Sequence, residues 1–320
     1  MPASCVRTFT DPEAYFKGIR NLSIDGFVTG RGKFRADALL IDLHRLQMGR
    51  FDEDLPRIMR ITPSGTRSLI LFATDSTRSA MLSNGIEASH HQIAMFGLHW
   101  PYYLRSSAAS RWGTMSLTPE DLAAAGRAII GRELTPPSFM LPIRPPAPSL
   151  SRLLQLHGAT RHLARTAPDI LAKPEVARAI EEALVEAMVL SLAGDHSEEV
   201  RNAREHRATV MRRLEDTLKA KSDEPLYMAE LCAAVGATYW TVRDCCLEYL
   251  GLSPKRYLCL RRMNLARRAL RRANPEHTTV TEIATNYGFW ELGRFSVAYR
   301  SLFGELPSAT LRRTPECSIP

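Results

Sequence analysis

The apolar positions follow two rhythms along this chain. Between residues 20 and 115 they form short runs or alternate with polar residues, as in ALLIDLHRL, PRIMRI, SLILFAT, SAMLS and HQIAMFG. Turn residues divide these runs, Pro63-Ser64-Gly65 and Asn84-Gly85 among them, and Asn-Gly is a strong hairpin signal. Many short strands separated in this way predict a small barrel or a sandwich. The rhythm then lengthens. In LTPEDLAAAGRAIIGREL, Thr118 is placed to cap a helix, Pro119 to take its first position, and acids to fill its first turn. The proline-rich TPPSFMLPIRPPAPSL fits neither regular helix nor central strand. From Leu150 the pattern is helical again, and residues 174–193 carry Val176, Ile180, Ala183, Leu184, Ala187 and Met188 at three- and four-residue spacing. That stripe suits either the domain's own strands or a second copy of the chain. The polar DHSEEVRNAREH predicts a linker at 196–206, between a first domain of 1–195 (β-rich over 20–115, helical over 118–195) and a second of 207–320.

Within the second domain the sequence repeats itself. ELCAAVGATYWTVRDCCLEYLGLSP (Glu230 to Pro254) and EIATNYGFWELGRFSVAYRSLFGELP (Glu282 to Pro307) each place an acid six residues before a glycine and end in Gly-x-x-Pro. Each copy reads as a short helix, a glycine turn and a longer amphipathic helix, the helix-turn-helix pattern, over about 226–250 and 279–303. SPKRYLCLRRMNLARRALRRA predicts a long helix over about 254–273 that joins them, with an apolar stripe able to pack on both.

In the longer helices, Val242, Cys245, Cys246 and Tyr249, and likewise Phe295, Tyr299, Leu302 and Phe303, form an apolar face. A structural helix needs no more than that. The remaining positions hold Trp240, Arg243 and Asp244 in one copy, and Trp290, Glu291, Arg294 and Arg300 in the other. A helix fits the major groove of DNA, and arginine matches both the paired acceptors of guanine and the phosphate oxygens. Arg243 and Arg294 are therefore candidate base readers. Trp240 and Trp290 are candidates for packing on sugar or a thymine methyl, or else partly buried anchors. Glu291 and Asp244 can accept from cytosine or orient the neighbouring arginine. The arginines of the joining helix (Arg261, Arg262, Arg267, Arg268, Arg271, Arg272) suit phosphate contacts, which position without specifying.

Charge supports a polyanionic partner for this half. From Arg201 onward there are 20 Lys and Arg against 13 Asp and Glu, whereas the first 200 residues are nearly balanced, 22 against 21. Six scattered cysteines with no CxxC pair argue for reduced thiols in a cytoplasmic protein. No apolar run reaches the roughly 18 to 20 residues of a membrane span, and the first residues have no apolar core of signal-peptide length.

The carboxyl-terminal segment resembles the AraC/XylS transcriptional regulators. The likeness rests on Gly288-Phe289, Gly293-Arg294-Phe295, Tyr299-Arg300, Phe303-Gly304 and Pro307-Ser308, with Gly251, Pro254, Tyr257 and Arg262-Met263 in the joining helix. Cys246 and Cys232 depart from the phenylalanine and alanine usual in the first copy. The resemblance covers about residues 207–313. It implies two helices in successive major grooves, with base contacts at Trp240, Arg243 and Asp244 and at Glu291, Gly293, Arg294 and Val297. It also implies an activator working with RNA polymerase, and a cupin-like amino-terminal barrel that binds a small-molecule effector or holds a homodimer. The expected fold class is thus α+β in two domains, a cupin-like barrel with flanking helices followed by an all-α domain.

The first domain offers weaker signals. His44, His90, His91 and His99 lack compact metal-ligand spacing, so neither metal nor cofactor is expected. An effector pocket with aromatic walls is the better reading, its candidates being His44, Trp100, Tyr102 and Tyr103. No nucleophile–base pair or phosphate loop points to an enzyme. The alternatives are an enzymatic barrel tethered by a basic domain, and a protein that coats DNA without reading it.

Overall fold

The computed structural model describes residues 2–19, 22–75, 81–88, 91–194, 201–221 and 226–313. The chain divides into two compact units, one reaching to Arg201 apart from the loop at 29–33, the other running from Asn202 onward. Residues 196–200 of the linker expected at 196–206 lie outside the described residues, and from Arg201 the chain is already helical.

The first unit begins with β1 (Ala3–Phe9), α1 (Pro12–Gly18), β2 (Leu22–Val28), β3 (Ala36–Asp42) and β4 (Gln47–Glu53). It continues through β5 (Arg57–Pro63), β6 (Ser68–Ala73), β7 (Met81–Ser83), β8 (Ile86–Ala88) and β9 (Ile93–Phe96). After β10 (Tyr102–Ser106) and β11 (Ser110–Leu117) come α2 (Pro119–Ile130), β12 (Leu141–Ile143), α3 (Ala147–Thr166), α4 (Pro168–Leu171) and α5 (Pro174–Leu192).

The strands form two sheets, ordered β1-β3-β4-β11-β6-β9-β12 and β2-β5-β10-β7-β8. Among the described residues no closed barrel forms. Neither sheet closes on itself, and the expected alternative, a sandwich, describes the pairing. Ala38, Phe51, Leu71, Phe96 and Trp112 of the larger sheet share a core with Met59, Ile61, Tyr102 and Leu104 of the smaller. The alternate residues Leu39, Ile41, Ile70, Phe72, Met95 and Met115 lie in a second core with Leu122, Leu153, Leu184 and Met188 of the helices. The larger sheet is thus covered on both faces, which is why its strands read as near-continuous apolar runs. Asn84 and Gly85, both at positive φ, make the two-residue turn of the β7–β8 hairpin.

A charged cluster is sealed in the sandwich. The Glu53 carboxylate accepts hydrogen bonds from Trp112 Nε1 at 2.7 Å, from Ser110 Oγ at 3.1 Å and from the Tyr15 hydroxyl, and it pairs with Arg57. Arg57 also donates to Ser106 and Ser110 Oγ, each at 2.8 Å. Both members of the pair are fully buried, so these internal partners offset most of the cost of burying charge, although Arg57 Nε is left without one.

The second unit consists of α6 (Arg201–Ala220), α7 (Met228–Val235), α8 (Tyr239–Leu250), α9 (Pro254–Arg272), α10 (Val280–Asn286), α11 (Leu292–Phe303) and α12 (Pro307–Leu311). Helix α8 packs on α7 and α9, and α10 and α12 pack on α9. Met263, Ala266 and Leu270 of α9 share a core with Ile283, Phe295, Tyr299 and Leu311. Glu215 of α6, fully buried, accepts from the Tyr257 hydroxyl and, at 3.2 Å, from Arg261 Nη1, so α6 is pinned to α9.

Candidate nucleic-acid interface

Two turns of αL backbone set up the interface. Gly236 at φ +69° and Gly288 at φ +74° end the short helices, a conformation that costs a side-chain-bearing residue about 1 kcal/mol or more. The chain then reverses into the longer helices. Thr238 caps α8 by accepting from the Thr241 amide at 3.2 Å. At the matching position of α11 stands Glu291, whose carboxylate makes no cap and is given to Arg294 instead.

Burial separates two faces on each long helix. Val242, Cys245, Cys246 and Tyr249 are buried in α8, as are Phe295 and Tyr299 in α11. Burial also pushes the Cys245 thiol up to about 11 and the Cys246 thiol further, so both are neutral, inert packing groups. Trp240, Trp290 and Val297 are 66%, 69% and 72% exposed, a cost in apolar surface that marks contact with something else. Asp244, Glu291, Gly293, Arg294 and Arg300 are exposed too, and the Arg243 side chain is partly so. All nine candidate residues therefore sit on accessible surface, eight of them around the starts of the long helices and Arg300 in the last turn of α11.

The two arginines are held differently. Arg294 forks onto Glu291, with Nε 2.9 Å from Oε2 and Nη1 3.1 Å from Oε1. Arg243 lies 5.6 Å from the Trp240 ring centre and 3.2 Å from Asp244. In both helices an acid steadies the arginine at the surface, so of the two roles open to Glu291 and Asp244 the free protein displays the orienting one. Tyr239, half exposed and edge-on to Trp240 at 5.5 Å, belongs to the same surface and had no motif to announce it.

The arginines of α9 split into two groups. Arg261 pairs with Glu215, Arg262 lies over the Phe289 ring at 5.4 Å, and Arg267 over Phe303 at 4.6 Å. These three knit the unit together, whereas Arg271 and Arg272 are exposed at the end of the helix.

The first unit holds a cavity of about 290 Å³ between the sheets, where β1 and α1 flank their edges. Leu22, Leu40, Phe51 and Leu69 supply apolar wall, and Arg67 and Ser116 polar groups. None of the four expected effector residues lines it. Tyr102 is stacked on Phe96 in the sandwich core at 3.8 Å, Tyr103 is buried, Trp100 leans on Phe139, and His44 lies by Arg45 and Glu181 in a separate depression. Strand alternation sends the tyrosines into packing instead. Among the described residues no three His, Cys, Asp or Glu side chains are grouped to hold a metal ion, and His90 and Cys317 lie outside those residues.

Residues 231–313 match the helix-turn-helix domain family. The probable thc operon regulatory protein of Rhodococcus erythropolis is 32% identical over 149 residues, 46% of this chain and 45% of that one. XylDLEGF operon transcriptional activator 3 of Pseudomonas putida is 38% identical over 117 residues, 35% of this chain and 34% of that one. The chain thus spans less than half the length of these relatives. Among solved structures, a probable AraC family transcriptional regulator from Rhodopseudomonas palustris CGA009 is 33% identical over 32% of this chain and 95% of that one, with a TM-score of 0.30. The carboxyl-terminal pair of helix-turn-helix units is thus similar to the corresponding part of AraC/XylS-type regulators.

Proposed function

We propose that the protein is a sequence-specific DNA-binding transcriptional regulator, an activator, whose activity is set by a small-molecule effector or by dimerisation through the amino-terminal unit. The observation that carries this is the pair of accessible, acid-steadied arginines, Arg243 and Arg294, at the starts of two helices whose other faces are buried. Side chains so placed can follow base edges in a major groove, while the basic end of α9 meets phosphate. Activation follows from the matched relative described as an operon activator, and implies RNA polymerase as a partner. Among the described residues no helix is long and apolar enough to cross a membrane, in keeping with action on cytoplasmic DNA.

Footprinting the full chain on the DNA flanking its own gene, with and without candidate metabolites, tests the reading. The expected result is a protected site preferred over unrelated duplex by about 10³-fold or more. Equal affinity for all duplexes would show a DNA-coating protein instead.

A further inference from the structure

Glu291 stands where a helix ordinarily places a capping side chain, but its carboxylate is spent elsewhere. It is the amino-terminal cap residue of α11, and its carbonyl accepts from the Phe295 amide at 2.9 Å, yet its side chain bonds no amide of the first turn. Thr238, at the matching position of α8, does cap its helix. The second unit thus forgoes a stabilising bond that the first one makes.

The carboxylate goes instead to Arg294, three residues on, where helix geometry brings the two side chains together. Both oxygens are engaged, Oε2 with Nε at 2.9 Å and Oε1 with Nη1 at 3.1 Å. A planar guanidinium held at two points has its orientation fixed. Of its five N–H donors the fork uses two, leaving one on Nη1 and both on Nη2. Those suffice for the paired acceptors of a guanine, O6 and N7. At 83% and 66% exposure the pair adds little to stability, since water screens both charges. Arg243 lacks this arrangement. Its acid is the next residue, Asp244; adjacent residues diverge around a helix, and the bond between them is a single one from Nη1 at 3.2 Å.

We propose that Glu291 is a specificity-determining positioning residue, which presents Arg294 to one guanine and withholds it from the phosphates. This rests on the DNA-binding reading and adds a role within it. An arginine without the fork samples rotamers that reach phosphate oxygens, and phosphate contacts carry no sequence information. The fork orders the side chain before DNA arrives, so that cost is not met on binding. It also offsets the charge that would draw Arg294 to any duplex.

Binding of the full chain to its footprinted site and to unrelated duplex, over a range of salt, tests this. Glu291→Gln should bind unrelated duplex more tightly, with a log–log salt slope steeper by about 0.9. Its ratio of specific to non-specific affinity should fall by roughly 2- to 10-fold, the ordering cost of one long side chain. Glu291→Ser supplies a residue able to cap α11, so its Tm should not fall, yet it should lose the same specificity. In an Arg294→Ala background, Glu291→Gln should leave the ratio unchanged, because the acid acts through the arginine. An unchanged ratio in Glu291→Gln, or a wild-type ratio in Glu291→Ser, would overturn the proposal. So would a loss that persists without Arg294, since the carboxylate would then meet a base such as cytosine itself. If the unaltered protein prefers no site over unrelated duplex, the DNA reading fails and takes this role with it. A preferred site that is indifferent to Glu291 sinks the positioning role alone.

Discussion

On the proposed reading Arg294 is the side chain to test first, because it is 83% exposed and already oriented by Glu291. Arg294→Ala should weaken binding to the target site by about 1–3 kcal/mol and relax preference at one base pair, as read by titration against single-base operator variants. A uniform loss over all duplexes would make it a phosphate contact. The buried pair in the sandwich gives a stability test. Arg57→Met leaves the Glu53 carboxylate sealed without its cation and should cost about 3–5 kcal/mol in denaturant unfolding, with the DNA-binding helices untouched. His157 reports on pH. Burial, with Arg50 nearby, pushes its pKa down to about 3, while Nε2 meets the Gly49 carbonyl at 3.1 Å. Its unfolded value is near 6.5, so below that pH the unfolded chain binds the extra proton and stability falls as pH falls toward 3. The slope from this one group reaches at most about 1.4 kcal/mol per pH unit. His157→Gln should flatten the stability profile between about pH 6 and 4; an unchanged profile would show that the ring does not stay neutral.

Elements differ in how openly the sequence displays them, and the reason is the range of the forces that make them. The helix-turn-helix units are specified by neighbours: a glycine able to adopt αL at 236 or 288, a cap at Thr238, an apolar stripe at helical spacing. All of this lies within a dozen residues and is legible. The sandwich is another matter. Strand β11 inserts between β4 and β6, and β10 between β5 and β7, pairings that no local pattern encodes. Short strands and turn residues reveal that sheets form but not whether their edges meet. The Glu53–Arg57 pair was hidden for a similar reason, since an acid and a base four residues apart ordinarily mark a surface. The cavity drew its wall from segments scattered over more than a hundred positions, so its lining could not have been singled out beforehand. Of the elements, α8 offers the cleanest experiment. Thr238→Ala removes its amino-terminal cap and should lower stability of the helical unit by about 1 kcal/mol, measured by chemical denaturation, while leaving the reading face chemically intact.

For the molecule as a whole, the uneven charge separates two tasks. The first unit is nearly neutral, and a basic second unit suits a strongly salt-dependent encounter with a polyanion. Within that second unit α9 is a ruler. Its 19 residues span about 28 Å, close to one turn of B-form DNA, and both long helices are anchored to it by side chains rather than loops. One added residue would swing everything beyond it through about 100°, so this length cannot drift by single steps. A seven-residue insertion keeps the face to within about 20° and lengthens the helix by about 10 Å. Selection from random duplexes with such a variant should recover two half-elements up to about three base pairs farther apart. Operators and α9 would then have to change length together, in whole helical turns, which makes the distance between half-elements the slowest-changing part of this protein's vocabulary.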